Sequence, residues 1–373
     1  MTWLRGMMSW IATPKSVNGF SDRCSGEIPK LRRTGKFGTP MQSKMGSGRQ
    51  KFILLVLLGF SLLMPPASAI AQSSQLPRIG VLLTGFPIRS PETEQFRQGL
   101  RELGYAEGRN VFVEWRSAEG NYSHLPRLLA EIIDGKPDII LVEGTVAALQ
   151  IREANLNIPV VMAVVSDPLA SGLVESLARP GGDITGLSMM ATDITTKRLE
   201  LLKECIPSLR RVGVLWDASV PWHESTLTVL DQAANQLGIR LRPVRVAGMD
   251  GIALAFAELR RARVEAVYVL DSALLGRNVA KLLPLARKAG LPVVYGRREW
   301  VTEGALLSYS ADFGDMFRRS AKYVDRILKG EKAADLPIEQ PIKFELAINL
   351  NTAKVLRLRI PASIEERANE VIP

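Results

Sequence analysis

Three aspartates stand beyond short apolar runs: Asp167 after Pro159–Val165, Asp217 after Arg211–Leu215, and Asp271 after the run closing on Val269-Leu270. A carboxylate at the carboxyl end of a buried strand can take the ammonium or hydroxyl groups of a small molecule. Asp is also a common turn and capping residue, so each has a purely local reading too. Gly144-Thr145 leads straight into a helix-like stretch, where a hydroxyl beside free backbone N–H groups suits an anion such as a carboxylate. Thr145 reads equally as an N-cap. Arg297-Arg298 can pair with a carboxylate or face water, and Phe86 and Trp222 can stack on an apolar ligand or pack locally. Thr84, Ser166 and Tyr295 complete the set, each sitting at a strand end beside small and polar residues. These groups recognise; none is placed to break a bond.

The signals that catalysis would leave are missing. The chain has two His, His124 and His223, and two Cys, Cys24 and Cys205, with no clustering that would make a metal site. It has no Gly-x-Ser-x-Gly elbow and no phosphate-loop pattern. No catalytic residue, metal or cofactor is therefore expected, and the chain is read as a non-enzyme.

The elements that must position these residues alternate in type. Arg78–Leu83 reads as a strand, Glu92–Leu103 as a helix, Val111–Trp115 as a strand and Leu125–Ile133 as a helix. Pro137–Val142, Val146–Ala154 and Pro159–Val165 continue as strand, helix and strand. Such alternation predicts a parallel sheet covered on both faces. The pattern then begins again. Arg78-Ile-Gly-Val-Leu reappears as Arg211-Val-Gly-Val-Leu, 133 residues on, and Leu103-Gly104 as Leu237-Gly238, 134 on. Leu141-Val142-Glu143 matches Val269-Leu270-Asp271, 128 on, and Ile158–Val161 matches Leu291–Val294, 133 on. Four landmarks in register predict two similar doubly wound α/β lobes, with the strand-end residues above facing each other across a cleft. Phe313–Leu328 reads as a helix, Phe344–Leu350 as a strand and Ala362–Val371 as a last helix. We assign 76–189 plus 307–331 to the first lobe and 190–306 plus 332–373 to the second, with hinges near 186–192, 305–308 and 329–334.

Charge points to export rather than to nucleic acid. The formal charge is +10, but residues 1–71 hold 10 Lys/Arg against 2 Asp/Glu, and the remainder holds 38 against 36. Arg49 and Lys51 precede a 13-residue apolar run, Phe52–Met64, and small residues follow Pro65-Pro66. That order predicts a cleaved signal peptide ending at Ala71, and the run is short for a membrane span of about 20 residues. Residues 1–44 stand upstream as an extension, with Met41 or Met45 giving a start of ordinary proportions. Cleavage removes Cys24, so the exported chain keeps one Cys and relies on its hydrophobic cores. A soluble periplasmic monomer without nucleic-acid affinity is expected.

Longer stretches carry a resemblance. Ser166-Asp167-Pro168, the segment from Gly172 to Gly186, Lys197–Lys203, Tyr323–Gly330 and Asp335–Leu350 resemble the bacterial ABC-transporter substrate-binding family that includes tryptophan-binding members. The resemblance spans roughly residues 78–370. It implies a type I periplasmic binding fold: two lobes, three crossovers, closure over a small ligand such as an amino acid or similar small carboxylate, and an inner-membrane ABC permease as partner. It places the family's Gly-Thr on Gly144 and Thr145, its Asp-Pro on Asp167 and Pro168, and its second-lobe acid on Asp271. Val146 stands where the family usually has Pro, and Trp216–Pro221 replaces an Asn-Pro-rich turn, so the ligand can differ. Two alternative readings stand beside transport: a sensor module, with the same fold presenting its ligand to a membrane-bound receptor, and an enzyme such as a two-lobed transferase.

Overall fold

Runs of Ile, Val and Leu punctuated by Gly and Pro form strands in the computed structural model, which describes residues 76–220 and 222–373. The export segment, its cleavage after Ala71, the upstream extension and Cys24 lie outside the described residues.

The first sheet contains β1 (Arg78–Leu83), β2 (Phe112–Ser117), β3 (Ile139–Glu143), β4 (Val160–Val165) and β5 (Ile184–Ser188), in the order β2-β1-β3-β4-β5. Every pairing in it is parallel. Central strands β3 and β4 are buried throughout, as strands covered on both faces must be. One face packs on α1 (Pro91–Glu102) and on α10 (Phe313–Leu328), through Phe96, Leu100, Met316 and Phe317. The other packs on α2 (Leu125–Asp134) and α3 (Thr145–Glu153), through Leu125, Ile132, Ala148 and Ile151.

The second sheet runs β7 (Arg240–Val246), β6 (Arg211–Asp217), β8 (Ala266–Val269), β9 (Val293–Tyr295), β10 (Leu307–Ala311), β11 (Phe344–Asn349) and β12 (Glu370–Ile372). Its first five strands repeat the order of the first sheet; β11 then joins antiparallel to β10, and β12 parallel to β11. Helices α4 (Ala191–Cys205) and α5 (His223–Gln236) cover one face, and α6 (Gly251–Arg261) and α8 (Val279–Ala289) the other. The repeat extends to packing. A Cβ on Gly80 would lie 2.4 Å from Ile132 of α2, and one on the equivalent Gly213 would lie 2.2 Å from Leu259 of α6. Both lobes bring a helix directly onto the first strand of their sheet. The result is an α/β protein with two doubly wound parallel lobes, as the sequence predicts.

The chain passes between the lobes three times. It leaves β5 at Ser188 for α4, leaves β10 at Ala311 for α10, and returns from Glu339, which bridges Leu187 beside β5, to β11. Two of the expected boundaries shift. Leu307–Ala311, assigned by sequence to the first lobe, pairs with β9 and β11 in the second sheet. Ala333, Leu336 and Ile338, assigned to the second lobe, pack in the cores of the first, and Leu336 O accepts from Thr185 Oγ1 at 2.7 Å. The expected hinges at 305–308 and 329–334 therefore fall inside lobes, whereas 186–192 contains a passage. The last predicted helix is also shorter. It ends at Glu365 (α12, Ala362–Glu365), because Asn369 exchanges two hydrogen bonds of 2.8 Å with the Leu346 backbone and starts β12.

Candidate ligand-binding site

In both sheets the first and third strands of the chain lie side by side while their helices leave on opposite faces. The loops diverge there and open a crevice beyond the strand ends. The two crevices face each other and enclose a cavity of about 270 Å³. From the first lobe it is lined by Thr84 to Phe86, Tyr122, Glu143 to Val146, Val164, Ser166, Met189 and Phe313; from the second by Val220, Trp222, Asp271 and Tyr295, among others. The lobes touch at its rim. Ala273, the first residue of α7 (Ala273–Arg277), donates its N–H to Tyr122 Oη at 3.1 Å, and Arg277 lies against Gly120. Opposite, the Arg297 guanidinium sits 4.4 Å above the Phe86 ring and 3.8 Å from Glu92.

The α3 end of the cavity is an uncapped helix N-terminus. Gly144 is the N-cap residue, with φ of 91° and no side chain to close the turn. A Cβ there would lie 2.4 Å from Thr84 Oγ1, so the site needs glycine for space as well as for conformation. Thr145 is not the cap. Its Oγ1 accepts from Ser166 N at 3.0 Å and ties the β3 and β4 loops together. The first-turn N–H groups of Thr145, Val146 and Ala147 have no intrahelical acceptor, and Thr145 and Val146 line the cavity. Together with the helix dipole they favour an anion.

Glu143 does not offer its charge freely. Its Oε2 accepts from Thr84 N at 2.8 Å and Gly85 N at 2.9 Å, fixing the β1 loop. Burial pushes its carboxyl above the usual range, against the pull of those N–H groups. In the second lobe Asp271 lines the cavity with its carboxylate one-quarter exposed. Its Oδ2 takes Arg198 Nη2 at 3.0 Å, and among the described residues its Oδ1 accepts no hydrogen bond. Behind it His223 is buried. Asp217 N donates to His223 Nδ1 at 3.2 Å, so the proton sits on Nε2, which faces Asp271 O at 3.1 Å. Burial lowers the His223 pKa and keeps the ring neutral.

Of the residues named from sequence, Thr84, Phe86, Gly144, Thr145, Ser166, Trp222, Asp271, Tyr295 and Arg297 line the cavity. Asp167 and Asp217 do not. Asp167 holds its own turn, accepting from Leu169 N, Ala170 N and Thr192 Oγ1 at 3.0–3.1 Å. Asp217 is buried, with Oδ1 bound to Ser219 N and Oγ and Oδ2 unpartnered. Two lining residues are committed to protein partners. Phe86 packs edge-on with Phe313 and Phe317 under Arg297, and Arg297 is held by Phe86, Glu92 and Glu299. Tyr122, Met189 and Phe313 are lining residues that the sequence reading does not name, and Val146 enters it only as a departure from the family pattern. Tyr122 sits beyond the end of β2, within reach of the same strand-end rule, whereas Phe313 comes from a helix that no strand-end rule reaches.

Residues 87–372 match the profile of the family described as ABC transporter substrate binding protein. The chain belongs to this family. A tyrosine-binding protein of Clostridioides difficile strain R20291 is 24% identical over 289 residues, covering 77% of this chain and 83% of that protein. A Streptococcus pneumoniae domain, crystallised in complex with L-Trp, is 24% identical with a TM-score of 0.73, covering 80% of this chain and 100% of that one. A conserved domain protein from Vibrio cholerae is 25% identical at the same TM-score and the same coverage. The departures Val146 and Val220 both fall on the cavity wall of this substrate-binding protein.

Proposed function

We propose that this substrate-binding protein captures a free amino acid with an apolar or aromatic side chain, outside the cytoplasm, and delivers it to an ABC permease as a monomer. One observation carries the reading: a mainly apolar cavity between the lobes has, among the described residues, an unpaired helix N-terminus in one lobe and an unpaired carboxylate oxygen, Asp271 Oδ1, in the other. The α-carboxylate suits the N–H groups of Thr145 and Val146, and the α-ammonium suits Asp271. Val146, Val164, Met189, Val220, Trp222 and Phe313 supply an apolar wall for the side chain. Because the two polar contacts come from different lobes, such a ligand binds the shut form better than the open one, and only that difference drives closure. Thr84, Gly144, Ser166 and Tyr295 shape the wall rather than supply charge. Calorimetry with the twenty amino acids, alongside mass spectrometry of any ligand carried through purification, tests this. Binding of L-tryptophan, L-tyrosine or L-phenylalanine is expected, with Asp271→Asn weakening it at least ~tenfold. A ligand lacking an ammonium group would overturn it.

A further inference from the structure

Arg198 is a costly residue that the ligand contacts do not explain. Its side chain is fully buried on α4, where an unpaired guanidinium would be strongly unfavourable. All three of its nitrogens are used: Nε donates to Tyr309 O at 3.0 Å, Nη1 to Tyr268 Oη at 3.3 Å and Nη2 to Asp271 Oδ2 at 3.0 Å. Burial disfavours its charge, but Asp271 and its other partners hold it charged. The surroundings are shaped to the pair. A Cβ on Gly296 would lie 2.3 Å from Asp271 Oδ1 and 2.5 Å from Arg198 Nη2, so the β9 loop passes over both groups only because it is glycine there.

We infer that Arg198 is a positioning residue for ligand binding: by occupying Asp271 Oδ2 through a rigid fork anchored on β10, it leaves Oδ1 charged and aimed into the cavity. The inference rests on the amino-acid reading above. A planar guanidinium fixed at two points restrains the carboxylate in direction as well as in charge, which an ammonium cannot do equally well. The other groups facing Asp271 are Tyr268 on its own strand, Tyr295 at the end of β9 and His223 on α5. Tyr268 and Tyr295 are pushed up by burial and His223 is kept neutral; Arg297 also lines the cavity, but Arg198 is the cation in direct contact with the Asp271 carboxylate.

The test uses the mature protein, L-tryptophan and L-tyrosine as probes, and the variants Arg198→Met and Arg198→Lys. Without the guanidinium, Asp271 Oδ2 loses the partner that fixes its direction. Arg198→Met should therefore weaken binding at least ~tenfold. Arg198→Lys keeps the charge and should recover part of the binding, weakened less than Arg198→Met. A folded Arg198→Met that binds within threefold of wild type, or an Arg198→Lys that binds no better than Arg198→Met, overturns the inference. If Arg198→Met does not fold, Gly296→Ala decides, since its Cβ displaces Oδ1 without removing a charge. At least ~tenfold weaker binding is expected, and unchanged binding refutes the role. A ligand-free arm separates this inference from the ligand reading. The melting temperature of Arg198→Met should fall below that of Arg198→Met/Asp271→Asn, because the single variant leaves the carboxylate without its cation. If there is no such gap, Arg198 fails. If wild type binds neither probe but the gap is present, the ligand reading fails and the pairing stands.

Discussion

Removing one oxygen atom tests whether the contact between lobes sets affinity. Ala273 N donates to Tyr122 Oη at 3.1 Å, and this bond joins the β2 loop of one lobe to α7 of the other. Tyr122→Phe deletes it while keeping the ring. A hydrogen bond of this kind contributes about 0.5–1.5 kcal/mol net, which changes the closed-to-open ratio by about 2- to 13-fold. When the free protein is mainly open, the apparent Kd rises by the same factor, because it scales inversely with the closed fraction. Gly120→Ala acts at the same rim by bulk. Its Cβ would lie 2.2 Å from the Arg277 side chain, which can move, and 3.1 Å from Ala273 O, which cannot readily do so. Calorimetry gives the Kd and small-angle scattering the closed fraction. Both variants should bind more weakly and show a larger radius with ligand present. A Tyr122→Phe protein with wild-type affinity would refute the reasoning, since the lobes would then close without help from this contact.

Further outcomes follow from the same geometry. His223, whose pKa burial lowers, should make stability fall as pH drops through its unfolded value of about 6.5, and His223→Gln should remove that slope in pH-dependent melting. Glu143, whose pKa burial raises, acts with the opposite sign: stability is lost as pH rises above about 4.3, so Glu143→Gln should melt higher than wild type at pH 7 if its amide oxygen keeps the Thr84 and Gly85 N–H groups. Phe317→Ala empties a fully buried position between α10 and the first sheet and should cost about 3–5 kcal/mol in denaturant unfolding. Thr145→Val removes the acceptor for Ser166 N and should cost about 1 kcal/mol by the same assay.

Much of the fold was legible because strands buried on both faces have a plain signature. β3 and β4 are almost wholly apolar and rich in Ile and Val, and the sequence places their boundaries to within two residues. β7 was not identified: Arg240, Arg242 and Arg245 are exposed on an edge strand, and Pro243 interrupts it. Lobe membership near the crossovers was misread because β10 has the same local pattern in either sheet; its partners, β9 and β11, are set by tertiary pairing. The site was found through strand ends. That rule selects loops, not orientation, so Asp167 and Asp217 looked equivalent to Asp271 although their carboxylates turn onto their own turns. Arg198 was out of reach, since a charged residue in the middle of a helix reads as solvent-facing until its partner is known.

The duplication accounts for how one pattern yields two opposite binding ends. Glu143 and Asp271 occupy equivalent places at the carboxyl end of the third strand of each lobe, Glu143 closing β3 and Asp271 two residues beyond β8. In the first lobe the longer glutamate folds back onto the N–H groups of Thr84 and Gly85, and its charge is spent on that loop. With the acid withdrawn, the adjoining start of α3 presents its own N–H groups to the cavity, and that end accepts negative charge. In the second lobe the shorter aspartate is held from behind by Arg198, and the equivalent helix start is occupied: Ser272 Oγ caps Leu275 N at 3.1 Å and Ala273 N is bound to Tyr122. That end therefore accepts positive charge. On the function proposed above, a guest with both charges and an apolar body would satisfy the two ends together only across the gap, so closing on a zwitterion would gain the lobes what neither gains alone.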